Sequence, residues 1–242
     1  LSSESSSKPG KWQALPFQVQ PMDSVLDPDV ESTVLMWAAQ TGGKTEVVNN
    51  IIGYFIDRDP SPMLLIQPTV EMSESWSKER FSPMLRDTPQ LRGKIKEAKS
   101  RDSKNTILHK SFPGGHLSVV GANAPAGLAS RPIRCVFCDE VDRYSASAGV
   151  EGDPLALAEK RTEAFPDAVK FKTSTPTIKG VSRIEAEFEL SDKQYWFVPC
   201  PACGQFQALK WCQVKWPEGK PEGARYECQF CAKHWGDTER VK

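Results

Sequence analysis

No apolar run in this chain of 242 residues approaches the ~20 residues that a membrane-spanning helix requires. The opening stretch, Leu1 to Gly10, is serine-rich and polar rather than charged and then apolar, so it does not read as an export signal. A soluble protein with no membrane role is the expectation. An excess of charge of either sign is also missing, since Lys plus Arg and Asp plus Glu number 31 each. Nucleic-acid binding would therefore have to rest on local patches. Cysteine, at seven residues, is too sparse for a disulfide scaffold of this length. What the length allows is one α/β domain with a sizeable core plus a small appendage. The ragged start and the charged end at Lys242 read as those of an excised fragment.

Two segments carry chemistry. The apolar run Thr33 to Trp37 opens into Ala38-Ala39-Gln40-Thr41-Gly42-Gly43-Lys44-Thr45-Glu46, and a later run, Cys135-Val136-Phe137-Cys138, ends in Asp139-Glu140. A buried strand feeding a Gly-Lys-Thr turn and then a helix aims backbone N–H groups and a helix N-terminus at phosphate oxygens. In such a site Gln40 to Glu46 line the nucleotide, Lys44 reaches the β- and γ-phosphates, and Thr45 ligates Mg²⁺. Asp139 would hold the Mg²⁺ through water, and Glu140 would orient and deprotonate the attacking water. An ordinary Gly-rich strand-to-helix turn is the competing reading, and it draws support from Ala38, which stands where the usual motif has glycine. Two adjacent acids ending an apolar strand weigh against it, because charge is costly there without a cation.

Around these segments the sequence predicts a mostly parallel sheet covered by helices on both faces. Residues 1 to 11 read as a disordered tail. Trp12 to Met22 is a Pro- and Gln-containing lead-in, in which Gln18 could pair with an adenine edge and Phe17 or Trp12 could stack on it; aromatics bracing the first strand are an equal alternative. Strands are expected at Val34–Trp37, Met63–Gln67, Thr106–Leu108, Leu117–Val120, Cys135–Cys138 and Lys170–Thr173, with a turn at Pro113-Gly114-Gly115. Helices are expected from Lys44 to about Asp57, from Glu71 to Leu85 as one amphipathic element, and from Asp153 to Ala164. The locally basic run Arg92 to Lys104 is the best candidate for a DNA-backbone contact, with a solvated charge run as its alternative. Ser174-Thr175-Pro176-Thr177 follows a strand at the sheet edge where ligands bind, so it could sense the γ-phosphate or be a plain turn.

Cys200-Pro-Ala-Cys203 and Cys228-Gln-Phe-Cys231 lie 24 residues apart, and the four thiolates can complete a tetrahedral site. Soft thiolate ligation favours Zn²⁺, held structurally because no ligand position stays open. Gly204 suits the tight turn of such a knuckle, and Trp211, Val214, Trp216 and Tyr226 could supply the strands of a zinc ribbon. Two redox C-x-x-C motifs are the alternative. Cys135 and Cys138 read as core residues, and Cys212 and His234 as bystanders.

Taken together, the chain resembles the GpA-type family of phage terminase large subunits. The resemblance rests on Gln40 to Glu46, Gly121 to Pro132, Cys138 to Tyr144, Glu151 to Pro154, Ser174 to Thr177 with Gly180 and Arg183 to Glu185, and Cys200 to Gly204. It implies an ASCE-type P-loop ATPase domain over residues 12–195 and a zinc ribbon over 196–242. It also implies that ATP hydrolysis with Mg²⁺ drives double-stranded DNA into a procapsid, with Ser174 and Thr175 in the coupling motif. Portal protein, a small terminase subunit and further copies of the chain in a ring are the implied partners, in the host cell cytoplasm. Full-length members continue into a nuclease domain with clustered carboxylates, and nothing after Cys231 offers that, so this stretch is not expected to cut DNA. Family phosphate loops often carry a basic residue, and Trp37 to Thr41 has none. Arg131, Arg143 or Arg161 would have to compensate, from the same or a neighbouring subunit. A helicase-like ATPase, or a nucleotide-gated zinc-ribbon module without turnover, are the rival functions.

Overall fold

A computed structural model describes residues 10–40, 43–95, 105–129, 131–236 and 239. The chain divides into two compact units, Leu1–Asp192 and Lys193–Lys242. The first unit runs α1 (Pro16–Asp23), β1 (Ser32–Met36), α2 (Lys44–Arg58), β2 (Pro62–Gln67), α3 (Val70–Trp76), α4 (Ser82–Asp87), β3 (His109–Phe112), β4 (Gly115–Gly121), α5 (Pro125–Leu128), β5 (Cys135–Asp139), α6 (Pro154–Glu159), β6 (Val169–Ser174) and α7 (Arg183–Glu189). Its strands form one sheet in the order β1-β6-β5-β2-β4-β3, parallel throughout except for the edge hairpin of β3 and β4. No helix among the described residues is long and apolar enough to cross a membrane.

The two central strands explain the layering. All five residues of β5 and five of the six in β2 are buried, as strands covered on both faces must be. Alternation sends Met63, Leu65, Cys135 and Phe137 to one face, where they meet Val47, Ile51, Ile52 and Phe55 of α2. Leu64, Ile66, Val136 and Cys138 face the other way, against Leu128, Leu155, Ala158 and Ile184 from α5, α6 and α7. Burial raises the Cys135 thiol to about 12 and pushes the Cys138 thiol up further, which leaves both as inert core residues.

Four expected elements need correction. The lead-in carries a helix, α1, started by Pro16 at its first position, where a missing N–H costs nothing. Glu71 to Leu85 is not one α-helix: a π-helical turn, Ser77–Phe81, separates α3 from α4. Pro83 cannot donate a backbone bond, and the wider turn brings Trp76 and Phe81 into a stacked pair with centroids 5.0 Å apart. The first hairpin strand lies at His109–Phe112 rather than Thr106–Leu108, because Phe112 pairs with Gly115 across a two-residue turn in which Gly114 has φ 84°. Finally, α6 ends at Glu159 and tightens into a 3₁₀ turn, Lys160–Thr162; Asp153 caps its start by accepting the Ala156 N–H at 3.2 Å. The expected tail falls mostly on residues 1–9, outside the described residues, as does most of the basic run. Of that run's described part, Lys94 is paired with Asp57 at 2.7 Å.

The second unit holds a two-stranded ribbon, β7 (Phe197–Pro199) with β8 (Phe206–Ala208), and a three-stranded sheet of β9 (Val214–Lys215), β10 (Arg225–Glu227) and β11 (His234–Trp235). Val214 and Tyr226 lie on strands as expected, whereas Trp211 opens a 3₁₀ turn and Trp216 follows β9.

Candidate nucleotide site and cysteine centre

Parallel strands deliver their C-terminal ends to one edge of the sheet, and the polar residues collect there. Leaving β1, the chain passes Gln40 at φ 57° and Gly43 at φ 62° before α2 begins at Lys44. Gln40, without glycine's freedom, is held in a left-handed conformation; Thr41 and Gly42 lie outside the described residues. Lys44 is 7% exposed, and its Nζ donates to Thr175 Oγ1 at 2.8 Å, to Trp37 O at 3.4 Å and to Ala38 O at 3.5 Å. It also lies 3.6 Å from Glu140 Oε1. One ammonium thus ties together the ends of β1, β5 and β6. Thr45 is half-buried in the first turn of α2.

Asp139 closes β5 and is buried. Gln67, at the end of β2, donates to its Oδ2 at 3.0 Å, while Oδ1 has no hydrogen-bond partner. Burial, with a smaller push from the Glu140 charge, raises the Asp139 carboxyl to about 6 against the pull of Gln67 and Lys44. A buried oxygen left without a donor beside a second acid and a Thr-bearing helix start fits a hard cation such as Mg²⁺. Glu140 follows in a left-handed conformation, φ 54° and ψ 49°, a costly geometry for a residue with a side chain and one that clusters at functional sites. Its other oxygen lies 3.8 Å from Arg143.

The raised Asp139 carboxyl has a pH consequence. An acid whose folded value, about 6, exceeds its ordinary 3.8 adds no cost to folding below about pH 4 and its full cost above about pH 6. In chelator at pH 7.5, Asp139→Asn should therefore melt several degrees above the unaltered chain, on the order of 2–3 kcal/mol of added stability. The gain should disappear by pH 4. Equal melting curves at pH 7.5 would refute the uncompensated buried charge.

Ser174 is buried; its hydroxyl accepts the Asp142 N–H at 3.2 Å and donates to Thr175 O at 3.1 Å. Phe17 and Gln18 are turned inward on α1. The Phe17 ring sits edge-on to Trp37 at 5.4 Å, and Gln18 Oε1 accepts the Leu15 N–H at 2.8 Å. Gln18 also packs so closely on the loop that a side chain at Gly43 would meet its amide nitrogen at 2.8 Å. Trp12, by contrast, lines a cavity of about 300 Å³ with Glu46, Asn50 and Arg80 along α2. Arg131 and Arg161 are not brought to Lys44. Arg161 donates to Ala129 O at 3.0 Å and its carbonyl accepts the Ile133 N–H at 2.9 Å, just before β5 begins, while Arg131 lies near His109 and His116. Sequence reasoning missed Gln67 and Asp142; a polar residue ending an otherwise apolar strand is the signal that marks Gln67.

In the second unit Cys200, Cys203, Cys228 and Cys231 place their sulfurs within 4.8 Å of one another. Two of the separations, Cys200–Cys231 at 3.8 Å and Cys203–Cys228 at 3.9 Å, match the ~3.8 Å edge of a tetrahedron with 2.3 Å metal–sulfur bonds. Gly204 and Ala232, each following a pair, both take left-handed turns at φ 72° and 57°. Burial would raise the Cys228 thiol, but the N–H groups of Cys231 and Phe230 and the Gln207 amide hold it below the usual thiol range. The donor set fits a thiolate-bound metal.

Residues 6–242 match the family described as "Phage terminase large subunit gpA, ATPase domain". The terminase large subunit of Enterobacteria phage P21 is 30% identical over 99% of this chain and 39% of its own length. That of Escherichia phage lambda is 26% identical over 96% of this chain and 37% of its own. The chain thus spans about two fifths of these relatives. In fold it resembles the HK97 bacteriophage large terminase, with TM-score 0.59 and 12% identity over 74% of this chain and 36% of the other. It also resembles the Thermus phage P74-26 large terminase ATPase domain, with TM-score 0.54 and 14% identity over 82% of this chain and 78% of the other. A match over nearly the whole length means that this chain belongs to the family of phage terminase large subunit gpA ATPase domains.

Proposed function

We propose that the chain is a P-loop ATPase of the ASCE type that hydrolyses ATP to drive double-stranded DNA into a procapsid as part of a terminase large subunit. The observation that carries this is Lys44, 3.6 Å from Glu140 and 2.8 Å from Thr175, beside the buried Asp139. The additional strand β6, lying between the loop strand β1 and the acid strand β5, supports the ASCE reading. Gln40 to Glu46 wrap the phosphates, and Lys44 exchanges Glu140 for phosphate oxygens. So released, Glu140 orients the attacking water and takes its proton. Bound Mg²⁺, held by Thr45 and Asp139, would supply Lewis acidity at the phosphate oxygens. Phe17 and Gln18 serve the nucleotide by bracing Trp37 at the end of β1 and Gly43 of the phosphate loop.

Ser174 and Thr175 couple phosphate loss to movement. Arg131 and Arg161 face away from this chain's own lysine, so either would act on the site of a neighbouring subunit in a homo-oligomeric ring. The four cysteines hold a structural Zn²⁺ in a zinc ribbon. Portal protein and the small terminase subunit complete the machine in the host cell cytoplasm. The test is phosphate release from Mg²⁺-ATP by this chain with and without double-stranded DNA. Low basal turnover raised several-fold by DNA is expected, and turnover indifferent to DNA would contradict the motor reading.

A further inference from the structure

Asp142 has no part in the chemistry described above, yet its carboxylate accepts from two separate segments beside the site. It follows Glu140 by two positions, in the 3₁₀ turn Val141–Arg143. Its Oδ2 accepts both the N–H and the hydroxyl of Thr177 at 2.8 Å each. Its Oδ1 accepts the N–H of Ile184, in the first turn of α7, at 2.8 Å. Its own N–H donates to Ser174 at the end of β6. Burial favours the neutral acid, but donors on Ile184, Ser182 and Thr177 outweigh it and hold the carboxyl below the ordinary range. One carboxylate therefore joins the acid turn, the segment after β6 and the start of α7.

The start of α7 has further ties of its own. Ser182 caps it locally by accepting the Glu185 N–H at 3.1 Å, and Arg183 donates to Ser145 O at 2.8 Å. Ile184 is buried in the core beneath the sheet, so the start of α7 is packed as well as hydrogen-bonded. Hydrogen bonds lead from Lys44 to Asp142 by two paths that meet at Ser174, one through Thr175 and one through Trp37, and Asp142 carries them on to α7. Leu190–Asp192 then lead directly into the second unit.

We propose that Asp142 is a positioning residue that carries the state of the nucleotide site to α7. When Lys44 leaves Thr175 for a phosphate, the Ser174–Thr177 segment shifts, and Asp142, holding Thr177 on one oxygen and Ile184 on the other, moves the start of α7 with it. This rests on the nucleotide reading of Lys44. Coupling of this kind is a differential effect, visible as a change on nucleotide binding and not as stability alone.

The experiment is hydrogen exchange of the α7 amides in the whole chain, with and without a non-hydrolysable ATP analogue and Mg²⁺, in the unaltered protein and in Asp142→Asn. In the unaltered protein, exchange at the start of α7 should change by about tenfold on nucleotide binding, as expected when a hydrogen bond to a charged group is strengthened or released. In Asp142→Asn the analogue should bind within about twofold of its normal affinity while the α7 response is lost. A response that persists in the variant, or a nucleotide-bound unaltered chain whose α7 does not respond, overturns the proposal. Should Asp142→Asn not fold, Thr177→Val, which removes one donor, must weaken the same response without weakening binding; an unchanged response refutes it. Failure of the analogue to bind the unaltered chain would sink the nucleotide reading and this inference together, and is told apart by the binding measurement.

Discussion

Glu140→Gln should leave ATP binding intact or slightly tighter and lower Mg²⁺-dependent turnover by about 10²–10⁴-fold, the range for removing a general base. The substitution keeps the shape of the side chain, so the left-handed turn that holds it should survive. What it removes is the charge that pairs with Lys44 at 3.6 Å and the basic oxygen that takes the proton from water. With its carboxylate partner gone, Lys44 is freer to meet phosphate, which is why affinity should not fall. Nucleotide binding by fluorescence titration and phosphate release by a coupled assay separate the two effects. A variant that binds and turns over normally would take Glu140 out of the chemistry.

Removing metal from the cysteine centre should unfold the second unit and leave the sheet of the first unit in place. That unit has little apolar core: Trp196, Phe206, Trp211 and Phe230 are all exposed, and the buried set centres on Cys200, Cys228, Gln207 and Trp235. Structural zinc contributes about 10–16 kcal/mol of apparent binding free energy in small domains, more than such a core supplies. The chain as purified should release about one Zn²⁺ to a colorimetric chelator. Hydrogen exchange should then lose protection in β7 to β11 while β2 and β5 stay protected, and Cys200→Ser with Cys203→Ser should mimic the chelator. A metal-free chain with an unchanged second unit would rule out a structural metal.

The strands on which the site stands were legible because burial on both faces leaves continuous apolar runs, as at Met63–Ile66 and Cys135–Cys138. The break at Ser77–Phe81 was less so: the five-residue spacing of Trp76 and Phe81 is a π-turn signature that hides inside a near-helical pattern. Lys44, Asp139 and Glu140 could be named from chain order because motif spacing records which residues converge, whereas Thr175 was marked by its place after a strand and by the family resemblance. Gln67, Asp142 and the inward turn of Gln18 could not, since each depends on which strand or helix lies alongside, and register is not written in any single segment. The arginines show the same limit. Arg131 and Arg161 sit on the loop before β5 and the turn after α6, and only the direction of the strands puts them at the far edge from Lys44.

The central claim is that Lys44, Asp139 and Glu140 form one ATP-hydrolysing site. The most direct test is phosphate release from ATP by the whole chain in Mg²⁺, compared with Mg²⁺-free buffer and with Lys44→Ala. Turnover that requires Mg²⁺ and vanishes in Lys44→Ala is the predicted result. Turnover that persists in Lys44→Ala would place the chemistry elsewhere and contradict the account.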